Sequence, residues 1–110
     1  MDERARRIGA NEAMFREVNQ RIEELADTFE LDERKIEFVC ECGRAACLEQ
    51  IQLTAGEYGT IHDDPHLFVM YPGHHAPEVE FVVEQRGGYD VVRKRGGSPA
   101  QLAEQSDPRS

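Results

Sequence analysis

The sequence predicts a single α+β domain in which an amphipathic N-terminal helix covers a small and mostly antiparallel sheet. The chain has 110 residues, which is the size of one compact domain. Apolar residues recur at helical spacing near its start and alternate at strand spacing from residue 36 onward. We expect the domain to span residues 1–95. The Gly, Ser and Pro residues that follow predict a polar, mobile C-terminal tail over residues 96–110, except for a turn of helix near residues 99–104.

The first helix is expected from about residue 8 to residue 29. Seven positions spaced alternately three and four residues apart form one stripe of this helix, and all but Asn11 are apolar. They are Ile8, Asn11, Phe15, Val18, Ile22, Leu25 and Phe29. This stripe favours packing of the helix on the protein's own sheet. The same spacing also fits a homodimer through this helix, in which Asn11 would set the register. Asn11 as the N-cap of the helix is a further alternative.

A hairpin is expected next. Strand alternation over residues 36–42 places the thiols of Cys40 and Cys42 on one face with Ile36 and Phe38. The opposite face then holds Glu37, Val39 and Glu41. Gly43 is expected to end this strand because glycine accepts a positive φ. Residues 47–53 alternate in the same way and form the expected partner strand. The turn between the two strands is therefore the CxCxxxxC segment, which resembles a zinc knuckle.

Capping and turn residues place the next elements. Thr54 and Glu57 have the spacing of a capping box, so a short helix is expected from there to about Asp63. Residues 66–71 read as a third strand. The turn pair Pro72-Gly73 breaks it.

Residues 77–85 fit either a strand or a helix. Their alternating apolar side chains are typical of a strand, and Gly87-Gly88 would then turn a hairpin. Pro77 at the start of the segment and Gly87 shortly after its last residue are typical of a helix. A helix is our prediction for this segment. Residues 89–94 are the expected last strand.

Three cysteines, Cys40, Cys42 and Cys47, lie within eight residues around the predicted turn. Thiolates bind soft or borderline cations, and a structural zinc ion takes four Cys or His ligands. Core cysteines have no reason to gather at a hairpin tip, which favours a metal site. His74 is the first candidate for the fourth ligand, because the Pro72-Gly73 turn would present it. The other candidates, in order, are His75, His66 and His62.

Composition restricts the function. The chain carries 13 basic and 22 acidic residues, a net charge of -9 that repels a phosphate backbone and disfavours nucleic acid as a partner. No apolar stretch approaches the roughly 20 residues of a membrane span, and no leader segment is visible, so we expect a cytoplasmic protein without a membrane partner. No phosphate-binding loop, dinucleotide motif or nucleophile with an evident base is recognisable, which favours a protein that is not an enzyme.

Several segments together resemble a group of small bacterial proteins of unknown function. The shared features are an F-R-x-V-N helix segment (Phe15–Asn19), the CxCxxxxC turn and a P-G-H segment (Pro72–His74). The resemblance spans residues 10–94 and implies no activity. It implies His74 rather than His75 as the ligand. The chain departs from the pattern at Gly56 and Gly59, which weaken the short helix.

These features predict a small regulatory or adaptor protein with a structural Cys3His zinc site, which acts by binding another macromolecule. Another protein is the expected partner. A different function, a thiol-based redox sensor, would use Cys40, Cys42 and Cys47, with Arg44 lowering a thiol pKa. A third, a nucleic-acid-binding module, would use the basic residues at the two ends of the domain: Arg4, Arg6, Arg7, Arg93, Lys94 and Arg95.

Overall fold

The computed structural model describes residues 2–109 and confirms the α+β class. None of the helices in this range is both long and apolar enough to cross a membrane. The elements that it contains are, in chain order, α1 (Glu3–Thr28), β1 (Lys35–Val39), β2 (Gln50–Thr54), α2 (Ala55–His62), β3 (Leu67–Met70), β4 (Glu80–Gln85), β5 (Asp90–Lys94) and α3 (Ser98–Gln105).

The strands form two small antiparallel sheets. Strands β1 and β2 make the predicted hairpin, in which Phe38 lies opposite Ile51. The second sheet has the strand order β3–β5–β4. The two sheets meet where the main-chain N–H of Glu41 donates to the carbonyl oxygen of Val69 at 2.9 Å. This contact brings the end of the hairpin beside β3.

Helix α2 begins with the predicted capping box. The Thr54 hydroxyl accepts the N–H of Glu57 at 3.0 Å, and the Glu57 carboxylate accepts the N–H of Thr54 at 3.2 Å. Two donors that a helix start leaves without partners are thereby satisfied. Tyr58 and Ile61 are buried and turn the helix toward the hairpin and β3.

The prediction of a helix over residues 77–85 was wrong, because residues 80–85 form strand β4. Pairing with β5 from Glu80 to Gln85 gives this segment hydrogen-bond partners that local capping signals cannot reveal. A register shift between Val82 and Glu84 makes a bulge at Val83. Strand β4 lies at the edge of its sheet.

Helix α1 buries a different face from the predicted stripe. The buried residues are Ile8, Glu12, Arg16, Asn19, Glu23 and Ala26. Val18 and Leu25 are 43% and 59% exposed, so the prediction that they pack on the protein's own core was wrong. The helix also starts earlier than expected. Its N-cap is Asp2, not Asn11, and the Asp2 carboxylate accepts the N–H of Ala5 at 2.7 Å.

The buried face of α1 is polar because each of its polar side chains meets a partner. Arg16 donates to the carbonyl oxygens of Pro65 at 2.9 Å and Ala103 at 2.7 Å, and its guanidinium lies 4.4 Å from the centre of the Phe68 ring. Buried polar groups cost about 1–3 kcal/mol each when a partner is missing. Contacts made far along the chain therefore decide which face of the helix is buried.

Lys94 shows the same principle at the start of α1. Its ammonium group is buried and donates to the carboxylates of Glu12 and Glu80. Burial and the neighbouring Glu80 carboxylate raise the pKa of Glu12 well above its usual value. Lys94 thus ties β5 to the first turns of α1 and is not a surface cation.

Residues 98–105 form helix α3, within the predicted C-terminal tail. The helix includes the turn expected near residues 99–104. Leu102 packs so closely on Gly9 that a Cβ atom there would lie 2.5 Å from Leu102 Cδ2. Beyond the helix, Arg109 donates to the Glu23 carboxylate at 2.5 Å. The C-terminal segment is therefore held on α1.

Gly43 is needed for space and not for a positive φ. Its φ is not among the positive values of the described residues. A Cβ atom at this position would lie 2.5 Å from Ile8 Cγ2 and 3.0 Å from Ile8 Cβ. The turn of the hairpin can approach α1 only because residue 43 has no side chain.

We expect Gly43→Ala to lower the free energy of unfolding by about 1–3 kcal/mol, because the added methyl group overpacks the contact with Ile8. Urea denaturation would measure this. Gly88→Ala is the matched control, since no atom lies within 4 Å of a Cβ built there. Ile8→Ala should reduce the cost of Gly43→Ala, and a cost that is the same in both backgrounds would contradict the packing explanation.

Candidate metal centre

Cys40, Cys42, Cys47 and His74 come together where the hairpin tip meets the segment after β3. One ligand atom of each residue lies within 4.8 Å of all the others. The Nδ1 atom of His74 is 3.7 Å from the sulfurs of Cys40 and Cys47. Bonds of about 2.0–2.3 Å in a tetrahedral zinc site place ligand atoms about 3.4–3.8 Å apart. The four residues could therefore hold one metal ion.

Turns on both sides of the cluster place the ligands. The N–H of Cys47 donates to the carbonyl oxygen of Arg44 at 3.0 Å and closes the turn of the hairpin. On the other side, the N–H of His74 donates to the carbonyl oxygen of Tyr71 at 3.0 Å. Gly73 between them has a φ of 83°, which favours glycine. The Pro-Gly turn presents the imidazole as the sequence predicted.

Each sulfur also accepts a main-chain N–H. Tyr71 donates to the Cys40 sulfur at 3.1 Å. The main chain of Arg44 donates to Cys42, and that of Glu49 donates to Cys47. Such donors stabilise negative charge on sulfur, and the thiolate is the form that binds metal.

The three thiols shift one another's pKa values. The hydrogen bond from the Cys40 thiol and the main-chain N–H of Arg44 outweigh burial and together lower the pKa of Cys42 to about 5. The same bond raises the pKa of Cys40, and burial raises the pKa of Cys47. The expected influence of Arg44 thus comes from its main chain.

The other three histidines lie outside the cluster. His62 bonds to the Glu41 carboxylate at 2.8 Å, and His66 bonds to Glu104 at 2.6 Å. His75 is half-buried beside the site, and its Nδ1 atom has no partner among residues 2–109. Of the four candidates for the fourth ligand, only His74 meets the three sulfurs.

Glu41, between Cys40 and Cys42, is an essential part of the site that sequence reasoning missed. Its side chain is fully buried, and both oxygens are bonded. One oxygen accepts from His62 at 2.8 Å and from the N–H of Val69 at 3.0 Å. The other accepts from Tyr58 at 2.7 Å and Asn19 at 2.9 Å. Burial alone would raise the pKa of Glu41, but His62, Asn19 and Tyr58 together bring it below its usual value.

His62 has an acceptor at each ring nitrogen. Nδ1 lies 3.1 Å from the carbonyl oxygen of Tyr58, and Nε2 lies 2.8 Å from the Glu41 carboxylate. The ring therefore links the main chain of α2 to the buried Glu41 carboxylate. The sequence signal for this group was the i, i+4 spacing of Tyr58 and His62 on the inner face of α2.

Two asparagines of α1 hold the Cys40–Cys42 segment from the other side. The Asn19 amide donates to the carbonyl oxygen of Val39 at 2.8 Å and accepts the N–H of Val39 at 2.9 Å, as a neighbouring strand would. The Asn11 amide donates to the carbonyl oxygen of Gly43 at 3.0 Å. Both ends of the Cys40–Cys42 segment are therefore bonded to one helix.

Comparison with protein-family models, curated proteins and solved structures finds no match for this chain. The function must therefore be inferred from the site itself. Its distinctive features are the Cys3His cluster and the buried carboxylate of Glu41, which lies between two of the cysteines in sequence.

We expect Glu41→Gln to destabilise the protein by about 1–3 kcal/mol, because an amide nitrogen replaces one of the two oxygens that accept buried hydrogen bonds. Thermal and urea unfolding would measure the loss. Glu37→Gln on the exposed face of β1 is the matched control and should change stability by less than about 0.5 kcal/mol. Equal stability of the two variants would show that the hydrogen bonds to the Glu41 carboxylate do not hold the fold.

Proposed function

We propose that Cys40, Cys42, Cys47 and His74 hold a structural zinc ion. The observation that carries this proposal is the convergence of their four ligand atoms within 4.8 Å. Thiolate and imidazole ligands suit zinc, and four protein ligands complete a tetrahedral shell without an open position for substrate. The ion would fasten the hairpin tip to the segment after β3, and this would supplement a small core.

We further propose that the protein is a non-enzymatic regulatory or adaptor protein that acts by binding another protein. A closed metal site supports this, since it offers no position for catalysis. The net charge of -9 supports a protein partner over a nucleic acid. Reduced thiols of this kind persist in a reducing compartment, so the proposed location is the cytoplasm, which cell fractionation would test.

The basic ends offer little to the nucleic-acid alternative. Arg4 pairs with Glu78 at 2.7 Å, Arg93 pairs with Asp64 at 2.8 Å, and Lys94 is buried. Cations that are already paired gain less from a phosphate backbone. Nucleic acid therefore stays the third and weakest proposal, and salt-dependent binding at low ionic strength would revive it.

A homodimer through α1 also remains a proposal. Met14, Val18, Leu25 and Phe29 expose apolar surface on this helix, with exposed fractions from 43% to 68%. A second copy could cover these side chains. Sedimentation at high protein concentration decides between monomer and dimer.

Zinc analysis tests the main proposal. Protein purified without added metal should contain about one zinc ion per chain. His74→Gln and Cys47→Ser should each lower the zinc content and the unfolding temperature, because each removes one ligand. His75→Gln is the matched control and should retain the metal. A metal-free wild-type protein that is folded and whose three thiols all react would refute the site.

The redox sensor is the second candidate function, and the lowered pKa of Cys42, to about 5, favours it. Hydrogen peroxide would oxidise two of the three thiols to one disulfide, and two molecules of water would form. Two thiols should then disappear per chain, and bound zinc should be released. Mass spectrometry and thiol titration would measure this. An unchanged thiol count after peroxide treatment would dismiss the sensor.

A further inference from the structure

Strand β2 has a free edge. It pairs with β1 on one side only. The main-chain groups of Val39 are turned away from β2 toward Asn19. In an antiparallel ladder, a pair of opposite residues that do not bond to each other turns the main-chain N–H and C=O groups of both residues outward. Val39 lies opposite Gln50, so the groups of Gln50 face outward as well. The next outward pair is Glu37 with Gln52, so the N–H and C=O groups of Gln50 and Gln52 point away from β1.

A groove lies beside this strand. It has a volume of about 590 Å³, and residues 50–52 of β2, together with Lys35 and Glu37 of β1, form one of its sides. The side chain of Ile51 is buried on the opposite face, so β2 borders the groove with the exposed Gln50 and Gln52. Arg86, Gly88 and Tyr89, at the turn between β4 and β5, form the other side. We call this space the β2 groove.

Two other strand edges are protected in ways that β2 is not. Asn19 of α1 occupies the outer edge of β1 at Val39, and β4 carries a bulge. The bulge at Val83 interrupts the regular spacing of its outward-facing groups. The register of β2 with β1 is uninterrupted from Gln50 to Thr54. Leu48, just before the start of β2, is 93% exposed and adds apolar surface beside the same edge. Strand β2 is therefore the edge that suits pairing with another chain.

We propose that the β2 groove binds an extended segment of a partner protein as an added strand, which rests on the adaptor function proposed above. The outward N–H and C=O groups of Gln50 and Gln52 can form the hydrogen bonds of a β-ladder with the main chain of the added strand. The charges at the groove balance locally, because Lys35 lies beside Glu37 and Arg86 is paired with Glu84 and Glu57.

The net charge of the whole chain decides the kind of segment. At -9 it attracts basic segments and repels acidic ones. The expected partner segment is therefore extended and neutral to basic. It gains most of its side-chain contact from Leu48, which is 93% exposed two residues before β2 begins.

Selection from a library of random linear peptides displayed on phage, with the full zinc-loaded chain as target, tests this proposal. An enriched peptide should bind the wild-type protein and should bind Gln52→Pro at least about tenfold more weakly, because that variant lacks one edge N–H but no bond of the β1–β2 ladder. Gln52→Ala, the matched control, loses the same side chain but keeps the N–H. It should bind within about threefold of wild type.

Amide hydrogen exchange provides a second measurement that needs no variant. Exchange at Gln50 and Gln52 should slow when the selected peptide is added, and unchanged rates would overturn the proposal even if Gln52→Pro fails to fold. Failure to enrich any peptide, or equal binding to both variants, would also overturn it. Peptides that bind at another surface would refute the β2 groove as the binding site but not the adaptor function. The zinc proposal is tested independently, by the metal content of the protein.

Discussion

The carboxylate of Glu41 receives four hydrogen bonds from three elements: one from α1, two from α2 and one from β3. Because both of its oxygens are held, the direction of the main chain through Cys40 and Cys42 is fixed on either side. A buried carboxylate without such donors would cost several kcal/mol. The hairpin, helices α1 and α2 and the second sheet must therefore assemble together for Cys40 and Cys42 to take their positions.

The polar buried face of α1 extends this constraint. An apolar face would pack at several rotations of the helix with similar energy, whereas directed bonds permit only one. Glu12 meets Lys94 of β5, Arg16 meets the carbonyl oxygen of Ala103 in α3, and Asn19 meets the main chain of β1. Here polar contacts specify the orientation of the helix, and the apolar residues on its other side are left exposed.

Local spacing was sufficient to predict the hairpin, the capping box and the four residues that converge. Each of these depends on residues near one another in sequence or on a turn of known geometry. The buried face of α1 could not be predicted, since the partners of Arg16 and Glu12 lie 87 and 82 residues away. Strand β4 was missed for the same reason, because its local capping signals fit a helix and only β5 supplies its pairing. The alternation of residues 36–42 predicted that Glu41 lies on the face opposite the two thiols. The sequence does not show that four hydrogen-bond donors surround it there.

The cluster and the β2 edge are continuous in the main chain. Glu49 donates its N–H to the sulfur of Cys47, and its carbonyl oxygen accepts the N–H of Cys40 at 3.1 Å. Gln50, the first residue of β2, comes next. An ion that fixed the two sulfurs would thereby fix the start of the strand and the direction of its outward-facing groups. A metal at this place needs no contact with a partner to influence binding, because its effect would be to hold the edge strand in a shape that a second chain can pair with.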